Sequence, residues 1–462
     1  MSQTATISQP TDVENLQKKI RGKVIASSDK MYDQARKVYN AMIDKHPAMI
    51  VQCTDLADVQ EAVKFARAND LVVAVRGGGH NGGGLGICDD GMVIDLSGIK
   101  YVRVEPSTKT VRVGGGSLLA EVDHASHAFG LAVPAGIVSS TGIGGLTLGG
   151  GLGYLSRKYG LTIDNLLEAD MVLADGSFVT VNEQKMPDLF WAIKGGGGNF
   201  GIVTSFLFSA HEVDMIYGGV TLWPIEDAEK IMRWFDQFMD EAPEELSGFV
   251  AALEIPGPPF PPALHHKKFC GIVWCLSGDL EKADEIFKPV KDLQPVFEHL
   301  DKMPFPAIQS LFDGLFPPGL QWYWKADFFK ELTPELCAEV KRFGATIPTA
   351  LSQMHLYVIN GAVSRIGNVQ TPWAHRDAKY ASVIIGVDAD PANNGKMISW
   401  CRDFWNAMHP YSSGGSYLNF EMSGETDERV KSSYGENYKR LLEIKRKYDP
   451  GNFFRINQNI RP

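Results

Sequence analysis

The segment 76–84 reads RGGGHNGGG, and it constrains this chain more than any other feature. It follows an apolar, strand-like run at 71–75, and His80 stands near its centre. Glycine at this density lets backbone N–H groups come close to a ligand, and successive amides form a concavity that suits a diphosphate. We therefore interpret the segment as a loop that binds a nucleotide through its backbone, with the His80 imidazole beside the nucleotide.

Two common nucleotide-binding patterns are excluded by the residues next to the glycines. The GxGxxG spacing occurs at 77–82 and again at 196–201. A Rossmann turn needs a helix directly after these glycines, because the helix N-terminus faces the pyrophosphate. The first match leads into more glycine, the second leads into a strand-like run at 202–208, and no GxxxxGK[ST] sequence occurs. The sequence therefore argues against a Rossmann fold and against a P-loop.

Composition and charge narrow the class of protein further. The chain has 462 residues, of which 44% are hydrophobic, so it can bury large cores and we expect two domains. A net charge of −10 argues against a nucleic-acid partner. The six cysteines form no CxxC pair, and His265, His266 and His375 lack a spaced third ligand, so neither a metal site nor a disulfide framework is predicted. A polar N-terminus and the lack of a long apolar run predict a cytoplasmic protein without membrane contact.

The pattern of helices and strands changes near residue 212. Residues 1–30 resemble a polar lead-in, and 46–212 form one α+β domain in which Thr54 caps the first helix. From about residue 215 helices alternate with strands, which predicts an antiparallel sheet with helices on one face and a site under the other. The helices are expected at about 225–240, 281–293, 332–345 and 434–448, and the strands at 247–254, 268–276, 354–360 and 380–387.

Five segments of the chain together resemble one family. The segment 75–81 (VRGGGHN) is similar to the RxGGH loop of FAD-linked oxidases of the vanillyl-alcohol-oxidase and p-cresol-methylhydroxylase type, and within that group to the berberine-bridge-enzyme-like branch. The other four segments, in matching order and spacing, are 141–153 (TGIGGLTLGGGLG), 156–165 (SRKYGLTIDN), 188–203 (DLFWAIKGGGGNFGIV) and 448–460 (YDPGNFFRINQNI). The resemblance covers nearly the whole chain, from about residue 46 to its end.

The resemblance implies an α+β, two-domain flavoprotein with a PCMH-type FAD-binding domain and an antiparallel-sheet substrate domain covered by helices. The FAD-binding domain would be discontinuous, at 30–212 plus 430–462, and the substrate domain would span 213–429. The residues that the family's motifs place against FAD are Arg76, Gly77, Gly78, Gly79, His80, Asn81, Thr141, Gly142, Gly145, Leu146, Gly149, Gly150, Gly153, Asn165, Val203, Asn419, Asn457 and Gln458.

The resemblance also implies how the cofactor is attached. The His80 imidazole would bond covalently to the flavin 8α-methyl group. Many relatives carry a second tether, a cysteine, at the position that here is Val138, and valine forms no thioether; we therefore expect a single covalent attachment. Thr141 stands where relatives hold a residue whose size influences the reaction with oxygen. Oxidase and dehydrogenase behaviour both remain open, as does a simple packing role for Thr141.

The family often places its catalytic tyrosine at the end of a YxNY sequence, and this chain departs from that pattern. Its sequence is YLNF over 417–420, so Phe420, which has no exchangeable proton, replaces the last tyrosine. Hydride transfer from an alcohol or amine still needs a base for the O–H or N–H proton. Strand alternation puts His355 and Tyr357 on one face of the strand 354–360, and they are the preferred acid–base pair. The further candidates for a catalytic role are Tyr323 and Tyr417.

These observations predict an FAD-dependent oxidoreductase that takes a hydride from a C–OH or C–N carbon of a small organic or carbohydrate substrate. Oxygen or another acceptor would reoxidise the flavin. A carbohydrate should leave the site open and polar, whereas an amine or alkaloid needs an enclosed aromatic pocket. The loss of the tyrosine at Phe420 keeps a third interpretation open, a flavin-binding protein with little turnover.

Overall fold

The computed structural model describes residues 10–424 and 426–462. Its strands, β1 to β18 in chain order, are Lys23–Ala26, Met49–Gln52, Val73–Arg76, Met92–Asp95, Val102–Glu105, Thr110–Gly114, Leu131–Ala132, Leu166–Val172, Phe178–Asn182, Ile202–Ser209, His211–Glu212, Met215–Pro224, Leu246–Glu254, Lys268–Leu276, Phe297–Pro304, Gln321–Phe329, Gln353–Val358 and Tyr380–Asp388. Its α-helices, α1 to α14, are Pro10–Gln17, Tyr32–Ala35, Leu56–Ala68, Leu119–His127, Ile143–Leu148, Ser156–Tyr159, Pro187–Ile193, Ala228–Glu241, Ala283–Asp292, Phe305–Gln309, Pro334–Gly344, Asn394–Met408, Asp427–Tyr434 and Tyr438–Tyr448.

The N-terminal part of the fold contains two small sheets and, in addition, an antiparallel pair formed by β7 and β11. One has the strand order β1-β2-β4-β3, in which β2, β4 and β3 run parallel and β1 is antiparallel. The other is antiparallel with the order β5-β6-β10-β8-β9. The expectation that residues 1–30 are a polar lead-in is wrong for 23–26, because β1 extends the first sheet, and for 10–17, because Leu16 of α1 packs in a core. Residues 1–9 lie outside the described residues. The N-cap of α3 is Asp55 rather than Thr54, since the Asp55 carboxylate accepts from the Asp58 N–H.

The C-terminal part is built on one antiparallel sheet of seven strands in the order β15-β12-β14-β13-β17-β18-β16. Helices α8, α9, α11 and α12 cover one face, where their apolar side chains pack with those of the strands. The opposite face carries a second apolar cluster, to which the N-terminal part also contributes. The predicted antiparallel sheet with helices on one face is confirmed, and its free face is the one turned towards the glycine loops.

Two buried arginines join the parts of the chain on either side of residue 212. The Arg376 guanidinium forms a two-pronged ion pair with the Asp164 carboxylate, at 2.7 and 2.8 Å. The Arg157 guanidinium donates to four backbone carbonyls at and just beyond the end of α8 and to the Asn360 side chain. Because an unpaired buried guanidinium is costly, these contacts hold the loops and the sheet together. Of the two guanidinium groups, that of Arg376 has one buried nitrogen, Nε, without a partner in the described part of the chain. In the described ranges, no helix combines the length and apolar composition that a membrane crossing requires.

Candidate active site

One cavity lies between the glycine-rich loops and the free face of the seven-stranded sheet. We call its two ends the glycine half, lined by residues of 76–86, 136–149, 197–203 and 454–458, and the aromatic half. The aromatic half is lined by strands β12, β13, β14, β16, β17 and β18 together with Phe260, Phe312 and Phe316. Tyr417 and Phe420 stand where the two halves meet.

The glycine half is formed by loops that touch through their backbones. Gly78 and Gly142 face each other so closely that a Cβ on Gly78 would lie 2.5 Å from the Gly142 nitrogen, and a Cβ on Gly142 would lie 2.3 Å from the Gly78 nitrogen. Only glycine allows this approach. A Cβ on Gly145 or Gly198, in contrast, would meet open space. The first pair of glycines therefore builds the cavity wall, and the second pair leaves room within it.

His80 is held by stacking rather than by hydrogen bonds to neighbouring side chains. Its ring lies 3.8 Å from the Tyr39 ring at an angle of 20°. The His80 Nε2 atom is buried and has no hydrogen-bond partner within the described ranges. Burial lowers the pKa of His80 to about 4, so the imidazole is neutral at physiological pH. His80 thus lines the cavity as a neutral imidazole whose buried Nε2 atom has no partner among the described residues.

Most residues predicted to contact the cofactor do line this cavity. Arg76 lies at its wall and is paired with Asp95 at 2.8 Å, so the charge of its guanidinium is balanced. The remaining cavity-lining residues of the predicted set are Gly77, Gly78, Gly79, His80, Asn81, Thr141, Gly142, Gly145, Leu146, Gly149, Val203, Asn419, Asn457 and Gln458.

Three predicted cofactor residues lie outside the cavity lining. Gly150 packs against Trp373, and a Cβ on Gly153 would lie 1.8 Å from the Ala135 carbonyl oxygen, so both glycines permit close packing behind the wall. The Asn165 amide donates to the carbonyls of Tyr159 and Leu161, and its oxygen lies 2.6 Å from His211 Nε2. These contacts occupy its polar groups, so Asn165 shapes the loop and does not face a ligand.

The aromatic half takes its character from strand register. Along β17, the side chains of Gln353, His355 and Tyr357 point into the cavity, as alternation predicts. On β13 their cross-strand partners are Leu253, Ala251 and Phe249, which also line the cavity. On β18 the partners of Gln353 and His355 are Ile385 and Val383, again cavity-lining. A row of three polar side chains thus lies between two apolar rows.

The three polar side chains of β17 are joined by hydrogen bonds. His355 Nδ1 lies 2.7 Å from the Tyr357 hydroxyl, and His355 Nε2 lies 2.9 Å from the Gln353 Oε1 atom. Burial lowers the pKa of His355 to about 3 and raises the pKa of Tyr357 well above its ordinary value. The imidazole is therefore neutral at physiological pH, with one of its two nitrogens unprotonated, while the phenol holds its proton.

Tyr417 is a second phenol at the junction of the two halves. Its oxygen accepts hydrogen bonds from the Gly151 N–H at 2.9 Å and from the Asn419 amide at 2.7 Å. Burial raises the pKa of Tyr417 to about 12, and these donors act in the opposite direction. Phe420 packs against Tyr417 and Tyr357, with ring centroids 4.8 and 5.9 Å away, so an apolar ring fills the space between the two phenols.

Tyr323 does not belong to this arrangement. It alternates with the cavity-lining Trp322 and Trp324 on β16, so its ring points to the helix-covered face. Its hydroxyl lies 3.1 Å from Arg402 Nε on α12, so the polar end of the side chain has a hydrogen-bond partner outside the cavity. Strand period places Tyr323 and its neighbours on opposite faces, and that signal was present in the sequence.

Sequence reasoning missed Gln353, Tyr39 and Phe249. Gln353 is two residues before His355, so alternation alone could have placed it on the same face. Tyr39 and Phe249 carry no such signal, because they reach the cavity from distant parts of the chain.

Within the described residues, no group of three or more His, Cys, Asp or Glu side chains could hold a metal ion.

Comparisons with known proteins identify the family of this chain. The sequence matches the FAD binding domain family over residues 47–182 and the family described as berberine and berberine like over residues 416–461. An FAD-linked oxidoreductase of Dictyostelium discoideum is 30% identical over 451 residues, which cover 96% of this chain and 95% of the relative. The (R)-6-hydroxynicotine oxidase of Paenarthrobacter nicotinovorans is 28% identical over 460 residues, covering 96% and 97%. The solved 6-hydroxy-D-nicotine oxidase of Arthrobacter nicotinovorans superposes with a TM-score of 0.86 at 25% identity, covering 96% of this chain and 98% of that one.

The glycine half fits an FAD molecule on the residues present. Its loops leave open space at Gly145 and Gly198, and His80 Nε2 and Asn457 Oδ1 are buried polar atoms without a partner in the described part of the chain. A nucleotide cofactor offers bonding partners to such atoms, and unsatisfied buried polar atoms are costly without one. The α+β, two-domain fold and the two family matches agree with this fit. The chain belongs to the berberine-bridge-enzyme-like family of FAD-linked oxidoreductases.

Proposed function

We propose that this flavoenzyme oxidises a neutral, apolar, ring-containing alcohol to the corresponding carbonyl compound. The observation that carries the proposal is the Tyr357–His355 hydrogen bond in a cavity end that is otherwise lined by aromatic and aliphatic side chains. A phenol beside a neutral imidazole can accept the hydroxyl proton of a substrate, and the apolar rows around it favour a substrate without charge.

The charge of the cavity separates the substrate classes. Arg76, already paired with Asp95, is the one charged side chain among the described residues that line the cavity. A protonated amine would lie here without a carboxylate, and burying an unpaired charge is strongly unfavourable. An oligosaccharide would leave many hydroxyl groups facing Phe260, Phe312, Phe316 and the two tryptophans of β16. A neutral alcohol with an apolar ring system avoids both costs.

The proton and electron balance of the reaction assigns a task to each side chain. The substrate C–H carbon loses a hydride and its O–H loses a proton, which leaves a C=O bond. FAD, when bound, supplies the oxidant that accepts the hydride. The substrate proton passes to the Tyr357 oxygen as the Tyr357 proton passes to His355 Nδ1. Tyr417, with its oxygen held by two N–H donors, orients the substrate at the junction with the glycine half.

The proposal includes a single covalent bond between His80 and the flavin. The neutral imidazole, its buried Nε2 atom and the stacked Tyr39 ring support this attachment, and Val138, which lines the cavity, offers no second nucleophile. The division into an FAD-binding domain at 30–212 plus 430–462 and a substrate domain at 213–429 is part of the same proposal.

A substrate panel tests the proposed reaction. The oxidised protein is mixed without oxygen with an aromatic secondary alcohol, a cyclic secondary amine and a disaccharide, and the visible absorbance of the oxidised flavin is followed. We expect the alcohol to bleach the flavin most rapidly. Faster bleaching by the amine or the disaccharide would contradict the substrate class, and no bleaching by any of the three would support a flavin-binding protein without turnover.

The variant Tyr357→Phe tests the assigned proton acceptor. It removes one hydroxyl and keeps the ring that packs on Phe249 and Phe420. We expect flavin reduction by the bleaching alcohol to slow by about 10²- to 10⁴-fold, the usual contribution of a positioned base, with unchanged flavin content. A rate within a few fold of the wild type would remove Tyr357 from the reaction.

A further inference from the structure

We infer that Gln353 is a positioning residue, which fixes the proton of His355 on Nε2 so that Nδ1 stays free to accept the Tyr357 proton. The three side chains form one hydrogen-bonded row along β17, and the Gln353 oxygen lies at the end away from Tyr357. The inference rests on the proposed function, because the proton position matters for catalysis only if His355 takes part in the reaction. The position of the proton can nevertheless be measured without a substrate.

Hydrogen-bond chemistry gives the direction of both bonds. The Gln353 Oε1 atom can only accept, so the imidazole must donate from Nε2. A neutral imidazole carries a single N–H, so Nδ1 has a lone pair and no proton. The Tyr357 hydroxyl is then the donor of the 2.7 Å bond. The row runs Tyr357 to His355 to Gln353, in the direction that proton acceptance from a substrate requires.

The surroundings of His355 add no competing charge. The residues opposite it on the neighbouring strands are Ala251 and Val383, and the Phe249 ring lies 4.6 Å from the imidazole. The titratable groups near this row are the phenols of Tyr154, Tyr357 and Tyr417, all with pKa values raised by burial. Burial is the cause of the lowered pKa of His355, and no carboxylate of the described residues opposes it. The group that faces His355 Nε2 is therefore an uncharged amide oxygen.

The choice of an amide instead of a carboxylate has a consequence for pH dependence. A carboxylate next to Nε2 would stabilise the imidazolium and raise the pKa of His355. The imidazole would then be protonated at moderately acid pH and could not accept a proton. With Gln353 the imidazole stays neutral over the whole physiological range, so one ring nitrogen keeps its lone pair.

The first experiment measures the tautomer directly. The flavin-loaded protein is labelled with ¹⁵N-histidine, and long-range proton–nitrogen correlation spectra are recorded between pH 5 and 8; His355→Asn identifies the resonance. We expect a neutral His355 with its proton on Nε2 and no titration in this range. A proton on Nδ1, or a titration between pH 5 and 8, would overturn the inference, whether or not any alcohol reduces the flavin.

The second experiment compares Gln353→Glu with Gln321→Glu. Gln321 is a buried glutamine of the same sheet whose oxygen accepts from Asn394, outside the cavity, so it controls for the substitution itself. We expect a His355 titration to enter the pH 5–8 window in Gln353→Glu alone. With the alcohol identified by the panel, flavin reduction should gain an acid limb at the same pH. An unchanged His355 spectrum and pH profile would overturn the inference.

The third experiment removes the acceptor with Gln353→Leu. Leucine keeps the bulk of the side chain but accepts no hydrogen bond, so we expect His355 to populate both tautomers and flavin reduction to slow by about 10- to 100-fold at constant KM. A rate and tautomer equal to those of the wild type would show that Gln353 has no positioning role. If the panel yields no reducing compound, the proposed function fails while the tautomer measurements still decide whether Gln353 positions the proton.

Discussion

The two halves of the cavity are made from different parts of the polypeptide. In the glycine half the wall is backbone, and Gly78 and Gly142 approach more closely than any side chain would allow. In the aromatic half the wall consists of side chains from six strands of one sheet, in a register that places a polar row between two apolar rows. A backbone wall depends on glycine at fixed positions, and it suits a cofactor that is the same for every substrate. A side-chain wall can be altered residue by residue, and the proposed function assigns the substrate to this wall.

The largest expected effect comes from breaking the backbone wall. In Gly78→Ala the new Cβ would lie 2.5 Å from the Gly142 nitrogen, so the two loops must separate. We expect a destabilisation of about 3 kcal/mol or more, with loss of bound flavin. The measurement is the ratio of flavin to protein absorbance, together with the thermal unfolding temperature.

Gly198→Ala is the matched control for this change, since a Cβ there meets open space. It should keep the unfolding temperature of the protein without flavin. If Gly78→Ala keeps both its flavin and its stability, the close approach of the two loops is not what forms the flavin site.

A smaller effect is expected from a single hydroxyl in the side-chain wall. Val383→Thr keeps the shape of a cavity-lining residue next to His355 and adds a polar group. Burying that hydroxyl against an apolar substrate costs about 1–3 kcal/mol, so we expect KM for the alcohol to rise roughly tenfold or more with the flavin content unchanged. Steady-state kinetics provides the measurement.

Val387→Thr serves as the control on the same strand, because Val387 is buried but does not line the cavity. It should lower stability and leave KM alone. Equal KM values for the two variants would show that the aromatic half does not bind the substrate.

A pH-dependent effect is expected where α4 of the N-terminal part packs against α10 of the C-terminal part, a contact that we call the seam. Asp123 on α4 is buried, and Gln309 on α10 donates both to it and to the Gly136 carbonyl of the glycine half. Burial raises the pKa of Asp123 to about 7, so its stabilising contribution is complete below pH 4 and is lost as the pH rises through 7. Asp123→Asn does not titrate. Relative to the wild type it should gain about 2 to 3 kcal/mol of unfolding free energy between pH 5 and pH 8.

Denaturant unfolding of both proteins at the two pH values measures this gain. A stability difference that does not change with pH would mean that Asp123 is charged in the folded protein, and the seam would then hold a buried carboxylate instead of a neutral carboxyl group.

The smallest effect is expected from a tyrosine on the wrong face of the sheet. Tyr323→Phe removes a hydroxyl that contacts Arg402 on the helix-covered side. We expect flavin reduction to change by less than about twofold, as for other substitutions at the surface. Tyr357→Phe removes the same hydroxyl group from the opposite face of the sheet, so the two variants differ mainly in the face that they change. A large effect of Tyr323→Phe would contradict the assignment of the cavity-lining face as the substrate-binding one.

The same contrast explains how much could be predicted from the sequence. The glycine half was predictable because the glycines that form its wall are close together in the sequence. His80 and the glycines from 77 to 79 form one such group, and the glycines of 141–149 form another. His355 and Tyr357 were predictable because alternation places them on one face of one strand. Gly150, Gly153 and Asn165 belong to the same glycine-rich segments but pack behind the wall, a difference that needs three-dimensional contacts.

Other parts of the fold left weaker signals. Strand β15 is an edge strand with mostly exposed residues, so its sequence FEHLDKMP lacks the alternation that marks a half-buried strand. Helix α12 was not predicted, although Met397, Trp400, Cys401, Phe404 and Met408 have helical spacing, because asparagines and Gly395 dominate its start. The aromatic residues outside β17, such as Tyr39 and Phe249, meet only through the packing of distant segments.

The attachment of the flavin at His80 is the central claim, and denaturation in acid tests it most directly. The wild-type protein should precipitate with its flavin, and the tryptic peptide 77–100 should carry the added mass, whereas His80→Ala should release its flavin into the supernatant. Release of the flavin from the wild-type protein, or a flavin-bearing peptide elsewhere in the chain, would contradict the claim.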